Sequence, residues 1–251
     1  MDIYFQKFIL IFVRITTFIV ACPAFSYRGL SNIYKVALSV VVSILIHNSI
    51  PELELVNNIF YLLFMAFEEA LLGLAMGYIS QLVFAAVEIA GQLIDFQAGF
   101  SMATVYDPLM GFSASHYGRV YYWLAISLFF VLDMHHKLLG ALIYSFKQIP
   151  IGEVAYMGNG AGGIVKLFSL SFELAINLAA PLIIVVLITD VVLGVISKTV
   201  PQINVLILGM PMKAMVSYFA TLVMLSWLVG RIGKIVSMMP GYLEDFLRIF
   251  G

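Results

Sequence analysis

The chain has 251 residues, 63% hydrophobic and only 11% charged, with a mean hydropathy of +1.05. A soluble domain carries about 25% charged residues and under ~50% apolar ones, so a soluble fold is excluded and the chain reads as an integral membrane protein with one compact helical unit. A formal net charge of −1 with no basic patch argues against nucleic acid, and the single Cys22 excludes an internal disulfide framework or a multi-cysteine metal site.

About six apolar runs follow in order, each near the length of a bilayer span. The first, Phe8–Phe25, contains Arg14 and stops before Pro23, because a residue preceding proline is pushed out of the helical region. Its Ile19–Cys22 stretch resembles a lipoprotein acylation site. The internal Arg14 and a balanced Asp2/Lys7 start favour a first transmembrane helix instead. A loop from Ser26 to Ser31 leads to the second run, Val36–Ile50, which ends at Pro51 before an acidic linker with Glu52 and Glu54. The third, Ile59–Val87, continues as an amphipathic helix through Glu88 to about Gln97. Gly99 to Gly118 is rich in Gly, Ser, Ala and Pro and reads as a loop. The fourth run, Tyr121–Leu132, passes Asp133 and His135-His136-Lys137 and continues to Phe146. Pro150 to Gly163 is a second glycine-rich loop. The fifth, Ile164–Ile196, contains Pro181, and the sixth, Ile203–Val229, follows a proline-bounded turn at Pro201. Lys and Arg counts on alternate connections place the termini in the cytoplasm if the segments are ordinary spans.

Carboxylates lie inside or beside these runs. Each costs ~2.5 kcal/mol or more at mid-depth in hydrocarbon. Glu68, Glu69, Gln92, Asp95, Gln97, Glu173 and Asp190 are therefore expected to face other helices, other subunits or water, as a polar seam or lumen. Glu69, Gly73 and Gly77 share one helix face, and the two glycines permit close helix approach. The polar helix end Gln92–Gln97 breaks at Gly99 into a small-residue loop with Ser101, Tyr106, Asp107, Pro108 and Gly111. That suits either a plug or an ordinary loop outside the membrane. Adjacent His135 and His136 point ~100° apart on a regular helix, so a metal site is not expected there. Pro201, Gln202, Asn204, Gly209, Pro211 and Lys213 read as a hairpin tip whose polar groups are local caps or partner contacts. With no nucleophile–base pair and no phosphate-binding loop, neither an enzyme nor a cofactor is expected. A secondary transporter or ion-conducting protein is the rival reading, because Pro181 between Glu173 and Asp190 looks like a broken helix. No inverted repeat supports it.

Gly91-Gln92-x-x-Asp95-x-Gln97-x-Gly99-x-Ser101, Asp107-Pro108, His135-His136-Lys137-Leu138-Leu139, Pro201-Gln202-x-Asn204-Val205 and Gly209-x-Pro211-x-Lys213 form an ordered set covering essentially the whole chain. Together they resemble the FliR/SctT family, export-gate subunits of bacterial flagellar and injectisome type III secretion, with the flagellar branch nearer. The resemblance implies an all-α, non-enzymatic subunit of hairpins packed in a helical assembly in the bacterial inner membrane, at the flagellar basal body. Residues 1–163 would be FliP-like and residues 164–251 FliQ-like. The implied partners are FliP, FliQ and FlhB, with unfolded secreted proteins passing through the shared channel. On that basis the 99–118 loop would plug the lumen. The Pro201–Lys213 tip would meet FlhB at the cytoplasmic entrance, against the charge count above.

Overall fold

The structure, a computed structural model, describes residues 3–26, 29–50, 58–100, 115–153, 160–199 and 205–250. Among these residues there are helices and no strands. The order is α1 (Ile3–Ala21), α2 (Asn32–His47), α3 (Ile59–Ala98), α4 (His116–Val131), α5 (Met134–Gln148), α6 (Gly160–Thr199), α7 (Val205–Val223), α8 (Leu225–Ser237) and α9 (Met239–Phe250). In hydrocarbon a helix pairs its backbone groups internally, which is why apolar runs of this kind become helices. α1, α3 and residues 165–199 of α6 are long and apolar enough to cross a membrane. The chain is a helical membrane protein.

Local chemistry sets several boundaries. Ser31 caps α2 by accepting the Tyr34 amide, and Asn58 does the same for α3 at the Phe60 amide, 2.9 Å away. α3 runs unbroken for 40 residues, about 60 Å at 1.5 Å per residue. It stops in a left-handed turn at Gly99, φ +88°, with the Gly99 amide donating to the Phe96 carbonyl and the Phe100 amide to the Asp95 carbonyl. These two bonds satisfy carbonyls that the helix end would otherwise leave open, and glycine takes the positive φ without a Cβ clash.

Three expectations about the runs change. The fourth does not pass straight through Asp133: α4 and α5 meet there at 75°, with Asp133 at φ +54°. Asp133, His136 and Lys137 are all exposed at this bend, so its tip is suited to water or protein cover and not to lipid. The helix that contains Pro181 is continuous from Gly160 to Thr199, so the broken helix behind the transporter reading is absent. Membrane helices tolerate proline where neighbouring groups or local adjustment serve the carbonyl it leaves unpaired. The turn expected over Pro201–Lys213 is shorter, because α7 begins at Val205 and Gly209, Pro211 and Lys213 are helical. The last run also bends, by 72° at Met224, into α8 and α9.

The residues group into two compact units. The first comprises Met1–Val83, Phe129–Phe168 and Ser237–Gly251, and the second Phe84–Leu128 and Ser169–Val236. In the first, Gly73 and Gly77 of α3 lie against α1. A Cβ at Gly73 would strike Thr17 Oγ1 and the Arg14 carbonyl, and one at Gly77 would strike the Ala21 methyl. Small residues spaced by four let the helix backbones close up.

That approach brings two buried charges together. The side chains of Arg14 and Glu69 are both 0% exposed and form an ion pair through Arg14 Nε. Arg14 Nη1 also donates to Ser145 Oγ at 3.3 Å and to the Ile149 carbonyl at 3.1 Å, and the guanidinium lies 4.1 Å from the Phe146 ring centre. Glu69 Oε1 accepts the Gly152 amide at 3.3 Å, and Gly152 has φ +85°. Lys7 Nζ donates to the Ile50 carbonyl at 2.6 Å.

Removing one partner of such a pair strands the other charge, at a cost of about 3–5 kcal/mol. Glu69→Ala should therefore sharply lower the unfolding midpoint of the detergent-extracted protein. Replacing both partners with apolar residues, Arg14→Met with Glu69→Leu, should recover most of it. A double variant no better than Glu69→Ala would show that the pair is not what the packing depends on. Gly73→Leu should destabilise independently, by forcing α1 and α3 apart.

Candidate functional site

The second unit gathers polar groups around the two ends of the 101–114 segment, which itself lies outside the described residues. On one side is the end of α3, with Asp95, Gln97, Gly99 and Phe100. On the other is the start of α4. Ser115 caps α4 locally, its Oγ accepting the Gly118 amide at 2.8 Å. The same hydroxyl donates to Asp95 Oδ2. Asp95 Oδ2 also accepts the Tyr117 amide at 3.0 Å, and Oδ1 accepts it at 3.2 Å. A carboxylate that is 4% exposed thus meets the free amides and positive dipole end of α4. Gly91 makes the contact possible, since a Cβ there would press on the Gly118 Cα and the Tyr117 carbonyl carbon at 2.5 Å.

An aromatic cluster surrounds this cap. The Phe100 ring centre lies 5.4 Å from that of His116 and 5.7 Å from that of Tyr218, and Tyr117 stacks on Tyr218 at 5.7 Å and 26°. The Tyr117 hydroxyl donates to Ser217 Oγ and accepts from Thr221 Oγ1, each at 3.2 Å, which ties α4 to α7. A second polar knot joins three helices. Asp190 of α6 pairs with Lys213 of α7 and accepts from Gln97 Nε2 of α3 at 3.1 Å. Both charged side chains are partly exposed, 24% for Lys213 and 32% for Asp190, so the pair itself adds little stability and chiefly sets register. Gly99 faces Met210, with 3.9 Å between a hypothetical Cβ and Met210 Cγ, and Gly209 faces Leu193.

The structure therefore brings Asp95, Gln97, Gly99, Asp190 and Lys213 into the second unit's polar contacts. Gln92 is exposed and reaches Glu88 at 3.5 Å, while Glu173 is exposed on α6. Glu68 and Glu69 belong to the first unit, where Glu68 is 5% exposed and its Oε1 is buried without a hydrogen-bond partner. Pro211 and Gly209 sit inside α7. Ser101, Tyr106, Asp107, Pro108, Gly111, Pro201, Gln202 and Asn204 lie outside the described residues. Sequence reasoning missed Phe100, Ser115, Tyr117, Gly118, Ser217, Tyr218 and Thr221. One signal was available: a serine immediately before a helical apolar run is a helix-start mark, and Ser115 stands in that position.

Comparison with known proteins is consistent along the chain. The family described as Bacterial export proteins, family 1, matches residues 5–239. The chain is 33% identical to the flagellar biosynthetic protein FliR of Bacillus subtilis (strain 168), over 98% of this chain and 96% of that protein. It is 31% identical to FliR of Escherichia coli (strain K12), over 79% of this chain and 76% of that one. It is also 31% identical to the Yop proteins translocation protein T of Yersinia pestis, over 63% of this chain and 61% of that one.

Hydrogen bonds to an ionised carboxylate contribute about 1.5–3 kcal/mol each, and a stranded amide costs more than a missing bond. Asp95→Ala should therefore free the start of α4. Hydrogen exchange at the Tyr117 and Gly118 amides should accelerate by about tenfold or more, with little change in the α1–α3 amides. Unchanged protection at Tyr117 would mean that Ser115 alone caps the helix.

Proposed function

Because the chain belongs to bacterial export proteins family 1, the FliR/SctT family, we propose that it is the FliR-type channel subunit of the flagellar type III export gate. In this reading it assembles with FliP and FliQ in the bacterial inner membrane, at the flagellar basal body, and contacts FlhB. Unfolded flagellar proteins pass through the shared pore. Residues 1–163 form the FliP-like part and residues 164–251 the FliQ-like part. The subunit builds the path and performs no catalysis.

The observation that carries this reading is the near full-length similarity to a protein named as flagellar FliR, 33% identical over 98% of the chain. Surface chemistry supports a subunit made to be surrounded. In the most apolar window of α6 only 17% of the residues are buried within the chain, and Ile176, Ile188 and Val191 are more than half exposed. Apolar faces of this kind meet either lipid or neighbouring helices. Glu68 needs a donor that lipid does not supply, and a neighbouring subunit or lumen water would provide one.

The 101–114 segment is the plug in this proposal. The described residues on either side of it are joined by the bonds of Asp95 to Ser115 and Tyr117 and by the contact of the Phe100 and Tyr117 rings. That arrangement fits a gate that must move aside without unfolding the subunit. The start of α7 and the 200–204 connection form the contact with FlhB, with Gln202 and Asn204 as polar groups and Lys213 held by Asp190.

Two measurements on one co-expressed assembly test the proposal. The full chain should copurify with FliP- and FliQ-like subunits, and its yield should fall severalfold without them, as expected where buried carboxylates depend on partners. Replacing residues 103–112 by a short Gly-Ser linker should leave assembly intact and raise ion leakage across the membrane. An intact assembly with unchanged leakage would reject the plug. Failure to copurify, with solute transport by the lone chain, would reject the gate subunit altogether.

A further inference from the structure

We propose that Asp133, His135 and His136 form a binding site for a late first-row divalent cation, such as Zn2+ or Cu2+, at the bend between α4 and α5. One potential ligand atom from each residue lies within 4.8 Å of the others. Neighbouring positions on a helix point ~100° apart, yet the side chains can turn toward one another. Here the imidazole ring centres are 4.0 Å apart and the rings are tilted by 39°. Both histidines sit in the first turn of α5, directly after the break.

Three further features of the bend point to a ligand. Asp133 is the one non-glycine residue with positive φ among the described residues, at +54°. Such a conformation is disfavoured for a residue with a Cβ and persists where the surroundings or function hold it. Asp133 also stands at the N-cap of α5, where aspartate normally accepts an amide hydrogen bond, yet its side chain makes none. Its Oδ1 faces His136 Nδ1 at 3.9 Å instead. Finally, His135 Nδ1 is buried with no hydrogen-bond partner among the described residues. Buried polar atoms are nearly always satisfied, so this nitrogen is left without the partner that its burial demands.

The donor set decides the class of ion. Two imidazoles and one carboxylate suit Zn2+, Cu2+ or Ni2+ and are poor for Mg2+ or Ca2+, which take mostly oxygen ligands. Bonds of ~2.0–2.2 Å around one tetrahedral ion place ligands about 3.4 Å apart. Asp133 and His136 are 75% and 74% exposed, so their side chains have room to rotate toward that spacing. The carboxylate offsets the unfavourable positive end of α5. Three protein ligands leave one position for water or for a fourth donor from a partner. Bound there, the ion links the break residue Asp133 to the first turn of α5.

The chain has four histidines and one cysteine, so background binding is low. Cys22 is buried, and His47 and His116 lie on other helices. The test is Zn2+ binding to the untagged full chain in detergent, by competition with a chromophoric chelator, and Cu2+ binding by electron paramagnetic resonance. Wild type should bind one Zn2+ per chain at low-micromolar affinity or tighter, and Cu2+ should show coupling to two nitrogens. His136→Ala should weaken Zn2+ by roughly tenfold or more, and His135→Ala with His136→Ala should remove it. Asp133→Asn tolerates the left-handed conformation and should weaken binding without disturbing the bend. His47→Ala and His116→Ala should change nothing. Absence of stoichiometric Zn2+ binding by the folded wild type would overturn the proposal. So would affinity unchanged in the His135/His136 double variant, or a Cu2+ signal with one nitrogen or none.

Discussion

A guanidinium with no exposed surface, in a chain whose helices are made for hydrocarbon, dictates much of the first unit. Arg14 cannot shed its charge, so it must be paired where it sits. Glu69 supplies the countercharge, Ser145 and the Ile149 carbonyl take further N–H groups, and Phe146 covers the guanidinium. Glu69 comes from α3, whereas Ser145, Phe146 and Ile149 come from α5 and the turn that follows it. Meeting them all fixes α1 against α3, and fixes both against α5 and the turn that follows it. The glycines at 73, 77 and 152 are read most simply as conditions for that meeting. Two allow the helices to approach, and the third adopts the backbone conformation that aims an amide at Glu69.

The second unit solves the same problem with different chemistry. Asp95 has no cation partner in its cap and is satisfied by a hydroxyl and the open amides of a helix start. That choice has a mechanical consequence. A carboxylate on one helix that caps another fixes the end of α3 against the start of α4. Tyr117 extends the anchor to α7, and Asp190 links α3, α6 and α7 through Gln97 and Lys213.

The bends show where packing overrides sequence continuity. Apolar character runs through Met224 nearly without interruption, and resumes on both sides of the polar Asp133–Lys137 stretch, yet the helices turn by 72° and 75° there. At Asp133 the turn leaves charged and imidazole groups exposed together, which a straight span would have carried into lipid. At Pro181 the opposite happens, and a residue that breaks helices in water is carried inside a continuous one. A local propensity decides the outcome only where the surroundings do not offer the backbone another partner.

Composition alone determined that this is a helical membrane protein, because so little charge and so much apolar surface cannot be hidden in a soluble fold of this length. Ordered motifs were enough to reach the family, since several weak motifs in one order and spacing are specific as a set. The long α3 helix and its stop at Gly99 were legible, because a continuous apolar run and a glycine cap are local signals. Partnership was not legible. Nothing near Arg14 in sequence points to Glu69, which is 55 positions away, and nothing near Asp95 points to the Tyr117 amide. Whether a buried carboxylate meets a cation or a helix end, or keeps an oxygen unpaired among the described residues, depends on which helices cross at its depth. That is decided by three-dimensional packing, as the contrasting surroundings of Glu69, Asp95 and Glu68 demonstrate.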